Sequence, residues 1–221
     1  MKYDNITKGR FISRPNRFIA TAEIDGRTET VHVKNTGRCR ELLIEGCDIW
    51  LTAPGSPGRK TVYDLVTVRK SNGLLINIDS QAPNKVMLEW LNKQDYDRIV
   101  PEYTYGSSRI DFYIENAGER ILMEVKGCTL EREGTGYFPD APTERGIKHI
   151  HELIKAREEG FRAVLAFVIQ MKGVTEVRPN TDTHPEFGKA WDEALAAGVE
   201  ICFYTCNVQE DGFEIEGKFS V

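Results

Sequence analysis

Ser108-Arg-Ile-Asp-Phe-Tyr-Ile-Glu115, then Asn116-Ala-Gly-Glu119, then Arg120-Ile-Leu-Met-Glu-Val-Lys126 is the stretch that decides how this 221-residue chain is read. Two β-branched and aromatic runs flank a turn-prone loop, which predicts an antiparallel hairpin. With 116–119 as the loop, 115 faces 120, 113 faces 122 and 111 faces 124. Side chains alternate across a strand. One face then carries Ile110, Phe112, Ile114, Ile121, Met123 and Val125, and the other carries Arg109, Asp111, Glu124 and Lys126. Asp111 and Glu124 meet across the strands, and like charges at that spacing destabilise a sheet unless something compensates. A hard divalent cation such as Mg²⁺ or Mn²⁺ is one compensator, because it binds through one or two carboxylates plus phosphate oxygens and water. Lys126 brings an ammonium to the same face. Such a group can polarise a phosphodiester and orient an attacking water. The competing reading is a solvated ladder of salt bridges on an exposed strand face.

Outward from the hairpin the chain has two grammars. Before it, short strands are expected at Gly9–Ile24, Thr28–Val33, Asp48–Ala53, Thr61–Arg69 and Leu74–Ile78. They are punctuated by Asp25-Gly26, Pro54-Gly55-Ser56-Pro57-Gly58 and Asn72-Gly73. Five short strands with a basic start fit a small barrel of the OB type. The segment Ser80–Asn84 breaks that pattern, giving expected domains at 1–80 and 81–221. The second part mixes helices (84–93, 142–158, and 183–197 opened by a Thr183…Glu186 capping box) with strands at 100–105, 108–115, 120–126, 163–169 and 199–205. That alternation predicts a mixed α/β domain. Residues 127–142 are expected to form a long polar loop.

Composition narrows the classes. With 40% hydrophobic and 29% charged residues and a net charge of −5, the chain has enough apolar content to fold and too little net charge for a disordered one. No apolar run approaches the roughly 20 residues of a membrane span, and the N-terminus lacks the apolar stretch of a signal peptide. No membrane partner is expected. Cysteines 39, 47, 128, 202 and 206 have no framework spacing, and reduced thiols in a cytoplasmic protein are the simplest reading. Residues 1–40 hold nine Lys/Arg against four Asp/Glu, whereas the remainder is acidic, so a polyanion would be met on one face. A P-loop, a G-x-S-x-G elbow and a dinucleotide fingerprint are all missing.

Asp111 followed by Glu124-Val-Lys126 resembles the PD-(D/E)XK nuclease core. Many nucleases of that superfamily place a Glu on the preceding helix. The resemblance implies Glu89 as a third metal ligand, with Glu102 as the other candidate. A longer resemblance covers nearly the whole chain. It rests on Arg14-Pro-Asn-Arg-Phe18, His32-Val-Lys-Asn-Thr-Gly-Arg-Cys-Arg-Glu-Leu-Leu43, Ala82-Pro-Asn84, Tyr105-Gly-Ser-Ser-Arg-Ile-Asp-Phe112, Glu124-Val-Lys126, and Phe138-Pro-Asp-Ala-Pro-Thr-Glu-Arg-Gly146 through His149. These segments are similar to the sugar fermentation stimulation protein A (SfsA) family.

That resemblance implies an OB-like domain followed by a PD-(D/E)XK nuclease-like α/β domain, DNA as partner, and a tie to sugar (maltose) metabolism in bacteria. Phosphate and sugar contacts would come from Arg14, Asn16, Arg17, Asn35, Arg38 and Arg40, which fix position without reading sequence. Phe11 and Phe18 would either stack on unpaired bases or fill the barrel. Arg145, Lys148 and His149 could face the carboxylates, although His149 and His151 also fit a wet helix surface. The expected chemistry is Mg²⁺- or Mn²⁺-dependent phosphodiester hydrolysis. Asp111, Glu124 and Glu89 would bind metal and Lys126 would activate water. The alternative is a regulator that uses the scaffold only to hold DNA. A homodimer is left open.

Overall fold

Pro15-Asn16 splits the first apolar run into two strands. The Asn16 side-chain oxygen accepts hydrogen bonds from the backbone N–H of Phe18 (2.9 Å) and Ile19 (3.0 Å), folding the chain back on itself. In the computed structural model, which describes residues 1–35, 37–55 and 58–221, the result is β1 (Ile6–Asn16) and β2 (Ile19–Ile24), not one strand over 9–24. Asp25-Gly26, both at positive φ, then turns into β3 (Arg27–Val33). β4 (Asp48–Thr52), β5 (Asp64–Arg69) and β6 (Leu75–Asn77) follow. The order is β3-β2-β1-β4-β5-β6, and a parallel β3–β5 pairing closes five of the six strands into an OB-type barrel. Of the expected turn at 54–58, Ser56 and Pro57 lie outside the described residues.

The second part is built on a six-stranded sheet ordered β15-β14-β12-β9-β8-β7. β7 (Arg98–Tyr105), β8 (Ser108–Asn116) and β9 (Glu119–Cys128) form an antiparallel meander, and β9 runs parallel to β12 (Arg162–Ile169). β14 (Glu200–Gln209) is parallel to β12, and β15 (Gly212–Ser220), which periodicity did not reveal, pairs back on β14. The expected β8–β9 turn is tighter than 116–119. Asn116 pairs with Glu119, and Ala117-Gly118, both at positive φ, make the two-residue connection that suits strand twist.

Helix α1 (Ala82–Leu91) covers one face, packing Ala82, Val86, Met87 and Leu91 on Phe112, Ile114, Ile121, Met123 and Val125. Helices α2 (Glu144–Glu158) and α3 (Pro185–Ala196) cover the other. There Phe167 sits among Phe138, Trp191 and Phe203, with ring centroids 5.3–6.3 Å away. Burying each such ring contributes about 1.5–3 kcal/mol. Thr143 caps α2 by accepting from the Gly146 N–H at 3.0 Å. The expected Thr183 capping box is not formed. His184 is the N-cap residue of α3, and the Thr183 hydroxyl instead accepts from Asn180 Nδ2 at 2.7 Å. The expected loop 127–142 holds the end of β9 and a small hairpin, β10 (Leu130–Arg132) and β11 (Thr135–Phe138), joined by β13 (Val177–Pro179).

Buried polar contacts fix the barrel to the second part. Gln170 donates to both oxygens of Asn77 at 3.0 Å and Lys70 pairs with buried Glu131, while within the first part the Lys34 ammonium lies 2.6 Å from the fully buried Asp79 carboxylate. Such a network has a low-energy state only when every member is satisfied, so it specifies one docking geometry.

Candidate active site and nucleic-acid cleft

The charged face of the hairpin is distorted at Asp111. The β8–β9 ladder runs from Asn116/Glu119 only to Phe112/Met123. Beyond it the Asp111 carboxylate itself accepts the Val125 N–H at 2.7 Å, replacing a backbone partner. On the other side, β7 pairs through Pro101/Phe112 and Tyr103/Ile110 but skips Glu102, which sits at φ 51°. Backbone strain of this kind is stored where a site requires it. The kink changes the alternation, so Ile110 packs with Tyr113 and Leu122 and not, as simple alternation predicts, with Phe112 and Ile114.

Around Asp111 five further side chains converge. Asn84, in the first turn of α1, donates to Asp111 at 2.6 Å. Glu124 is 2% exposed, and its Oε1 is 2.5 Å from Lys126 Nζ and bonded to His149 Nδ1. Arg145 Nε donates to His149 Nε2 at 3.3 Å. An arginine N–H can only donate, so Nε2 is the bare nitrogen and the His149 proton sits on Nδ1, directed at Glu124. The other Glu124 oxygen, Oε2, is buried without a hydrogen-bond partner. The two acids are pushed apart electrostatically. Burial and the Glu124 charge raise the Asp111 carboxyl above its ordinary value. Burial also opposes the Glu124 charge, but His149 and Lys126 outweigh it and hold that carboxyl below the usual range.

On the barrel, Arg14 spans the carbonyls of Arg17, Asn35 and Arg38, each at 2.7 Å, and so staples the β1–β2 turn to the segment after β3. This frames an open cleft of about 360 Å³ lined by Arg14, Asn16, Arg17, Gly37, Arg38 and Arg40, over a floor of Phe11 and Leu43. Arg17, Arg38 and Arg40 are exposed and form no salt bridge among the described residues. Phe11 belongs to the barrel core at 4% exposure, whereas Phe18 is 49% exposed with the Arg17 guanidinium 5.4 Å from its ring centre.

Two family models cover the chain in the same order as these two parts: the SfsA N-terminal OB domain over residues 12–78 and the sugar fermentation stimulation protein RE domain over 81–212. The chain belongs to the SfsA family. It is 54% identical over 217 residues to a sugar fermentation stimulation protein homolog of Desulfitobacterium hafniense, covering 97% of this chain and 95% of that protein. It is 51% identical over 225 residues to the homolog of Clostridium beijerinckii, covering 100% and 99%. The solved structure of Pyrococcus furiosus SfsA in complex with Ca²⁺ matches with a TM-score of 0.86 and 31% identity, over 99% of this chain and 96% of that one.

Within this family frame, several expected residues fall elsewhere. Glu89 is not brought to the carboxylates. It is half exposed and its carboxylate is 2.7 Å from the Met1 ammonium. Five residues along a helix turn a side chain about 140° and lift it about 7.5 Å, so Asn84, not Glu89, reaches Asp111 from α1. Glu102 is exposed and pairs with Arg109 at 3.3 Å. Among the described residues no three His, Cys, Asp or Glu side chains cluster as a metal site would require. Asn35 is consumed structurally, accepting from Gly37 N–H and donating to the Ile78 carbonyl. Asn16 forms a turn and Arg14 a staple, which leaves Arg17, Arg38 and Arg40 as the cleft cations without a salt bridge among the described residues. Arg145 does lie at the site, through His149. Lys148 is drawn to Glu152 and His151 to Glu193. His149 is not on a wet surface. It shares the buried α2 stripe with Ile150, Leu153 and Ala156, a spacing that was the available signal for it.

Proposed function

We propose that this SfsA-family protein binds DNA on its barrel and hydrolyses a DNA phosphodiester at Asp111, Glu124 and Lys126, with Mg²⁺ or Mn²⁺ as cofactor. The observation that carries this reading is the Glu124 carboxylate. One oxygen is tied to Lys126 and His149, and the other is buried and unpartnered near the half-buried Asp111 carboxylate. An orphaned buried carboxylate oxygen costs free energy unless something occupies it. The donor set, all hard oxygen, suits a hard divalent cation, and a relative of 31% identity is described in complex with Ca²⁺. Bound there, the ion would supply Lewis-acid charge for a phosphoryl oxygen.

The remaining work falls to the chain itself. Asn84 and the Val125 N–H hold the two Asp111 oxygens in place, and His149 holds Glu124 Oε1 so that Oε2 points away from it. Lys126 brings a positive charge beside Glu124, where it orients water or stabilises charge developing on phosphate. Arg145 fixes the His149 ring and adds a further cation. A cytoplasmic place fits the five unpaired cysteines.

The test is to incubate the protein with supercoiled, single-stranded and branched DNA, with Mg²⁺ or Mn²⁺, beside Lys126→Ala and Asp111→Asn. Cleavage by the parent and its loss in both variants is the expected result. Salt-sensitive binding with no cleavage of any substrate would leave the regulator reading, which the unpaired arginines of the cleft favour. A salt-independent affinity would remove DNA from both readings.

A further inference from the structure

The barrel cleft does not end on the barrel. Gly37, which lines it, also lines a second pocket of about 160 Å³ at the junction of the two parts. The other walls of that pocket are Asn35, Ser80, Gly127, Thr129, Asp140 and Gln170. Gly37 permits this close approach, since a Cβ there would strike the Asp140 carboxylate. Gly127 is the residue after Lys126, and a Cβ on it would meet Pro83 Cγ at 2.7 Å. Pro83 in turn precedes Asn84, the residue that holds Asp111. The junction pocket therefore borders β9 one residue past Lys126, on the α1 side of the strand.

The two pockets differ in chemistry. Among the described residues the cleft presents the unpaired cations Arg17, Arg38 and Arg40, and the Arg17 guanidinium lies over the exposed Phe18 ring, whereas the described walls of the junction pocket carry no cation. Its amides of Asn35 and Gln170 are held by internal hydrogen bonds, and burial raises the Asp140 carboxyl above its ordinary value. Cationic grooves with an aromatic platform suit a flexible phosphate backbone whose bases are free to stack. A small polar pocket without cations suits a base or sugar edge and not a phosphate.

We propose that the substrate is an unpaired DNA strand. Its phosphates lie on Arg17, Arg38 and Arg40, one base stacks on Phe18, and a following nucleotide enters the junction pocket. This rests on the DNA-hydrolysis reading above and names the form of DNA that the site takes.

The experiment measures anisotropy of the full chain with a labelled oligothymidine of about 20 nucleotides, longer than the roughly 4–16 that an OB fold covers, and with the same strand in a duplex, both in EDTA. The single strand is expected to bind about tenfold more tightly or better. Phe18→Ala should weaken that binding by about tenfold, the effect of losing one stacked base, with little change for duplex. Arg38→Ala with Arg40→Ala should weaken both. Both changes are at exposed positions, so thermal melting checks that the fold is kept. Equal or tighter binding of duplex, or indifference of the single strand to Phe18→Ala, overturns the proposal even if supercoiled DNA is cut. A single-strand preference that depends on Phe18, without cleavage of any DNA, sustains the strand path while the hydrolysis reading falls. If neither form binds, both fall.

Discussion

Replacing Asp111 by Asn should stabilise the protein while abolishing its response to divalent cations. The Asp111 carboxylate accepts two hydrogen bonds, from Asn84 at 2.6 Å and from the Val125 N–H at 2.7 Å. An Asn side chain keeps its carbonyl for Val125, and Asn84 can turn its amide over to present oxygen to the new NH₂ group. Neither hydrogen bond is lost. What disappears is a half-buried negative charge and its repulsion by Glu124, and desolvation and that repulsion are the two causes that raise the Asp111 carboxyl. Two charges about 5 Å apart at an effective dielectric near 20 repel by about 3 kcal/mol. The Lys126 ammonium, 2.5 Å from Glu124, offsets most of this. A net gain of about 1 kcal/mol remains, which for a chain of this size raises Tm by about 2–4 °C.

Divalent ions reverse the order. At 100 times its Kd, a cation that binds only the folded state adds about 2.7 kcal/mol, or about 5–11 °C. The parent should gain that increment in Mg²⁺ or Mn²⁺ and Asp111→Asn should gain little, so the two melting curves cross as metal is added. Differential scanning calorimetry with EDTA and with each metal reads this directly. A loss of about 1 kcal/mol or more in the metal-free variant would make the carboxylate a structural cap. A parent whose Tm ignores both ions would remove the cation from the site.

Glu124→Gln should act in the opposite direction to Asp111→Asn, costing about 1–3 kcal/mol in metal-free urea unfolding, because the Lys126 ammonium and the His149 N–H lose a charged acceptor. Lys70→Met should cost about 3–5 kcal/mol at pH 7, since it leaves the buried Glu131 carboxylate without its cation. Burial opposes the Glu131 charge, but Lys70 and the Gly134 N–H hold that carboxyl below its usual range. Its contribution is therefore present above the ordinary carboxylate value and lost as pH falls through the lowered one, so the gap between parent and Lys70→Met should narrow below about pH 4. Arg38→Ala with Arg40→Ala should flatten the dependence of log K on log salt by about 2, read from DNA titrations at several salt concentrations.

What the sequence reveals and what it hides follow from how far each signal reaches. The β8–β9 hairpin is legible because its period-2 pattern is local and Gly118 takes positive φ without steric cost. The barrel is legible as short strands between turn residues, but its strand count is not, because the break at Pro15-Asn16 works through a side-chain oxygen bonding two backbone groups, which looks like one more polar residue in a strand. β15 is missed because its pattern of alternating Glu and apolar residues at 212–220 has no flanking helix to frame it.

The site shows the same division more sharply. Asp111, Glu124 and Lys126 lie within 16 residues of one another, and strand alternation alone puts them on one face. Asn84 and His149 reach the same point from α1 and α2, and only the packing of those helices on opposite faces of the sheet brings them there. Even the alternation fails at the position that matters, since β8 kinks at Asp111 and its carboxylate takes over a backbone hydrogen bond. A regular strand would have left that acid in the ladder as one half of a surface pair. The kink instead commits both Asp111 oxygens to hydrogen bonds and leaves Glu124 Oε2 without one, and it is this asymmetry that makes the pair a candidate cation site and not a salt-bridge ladder.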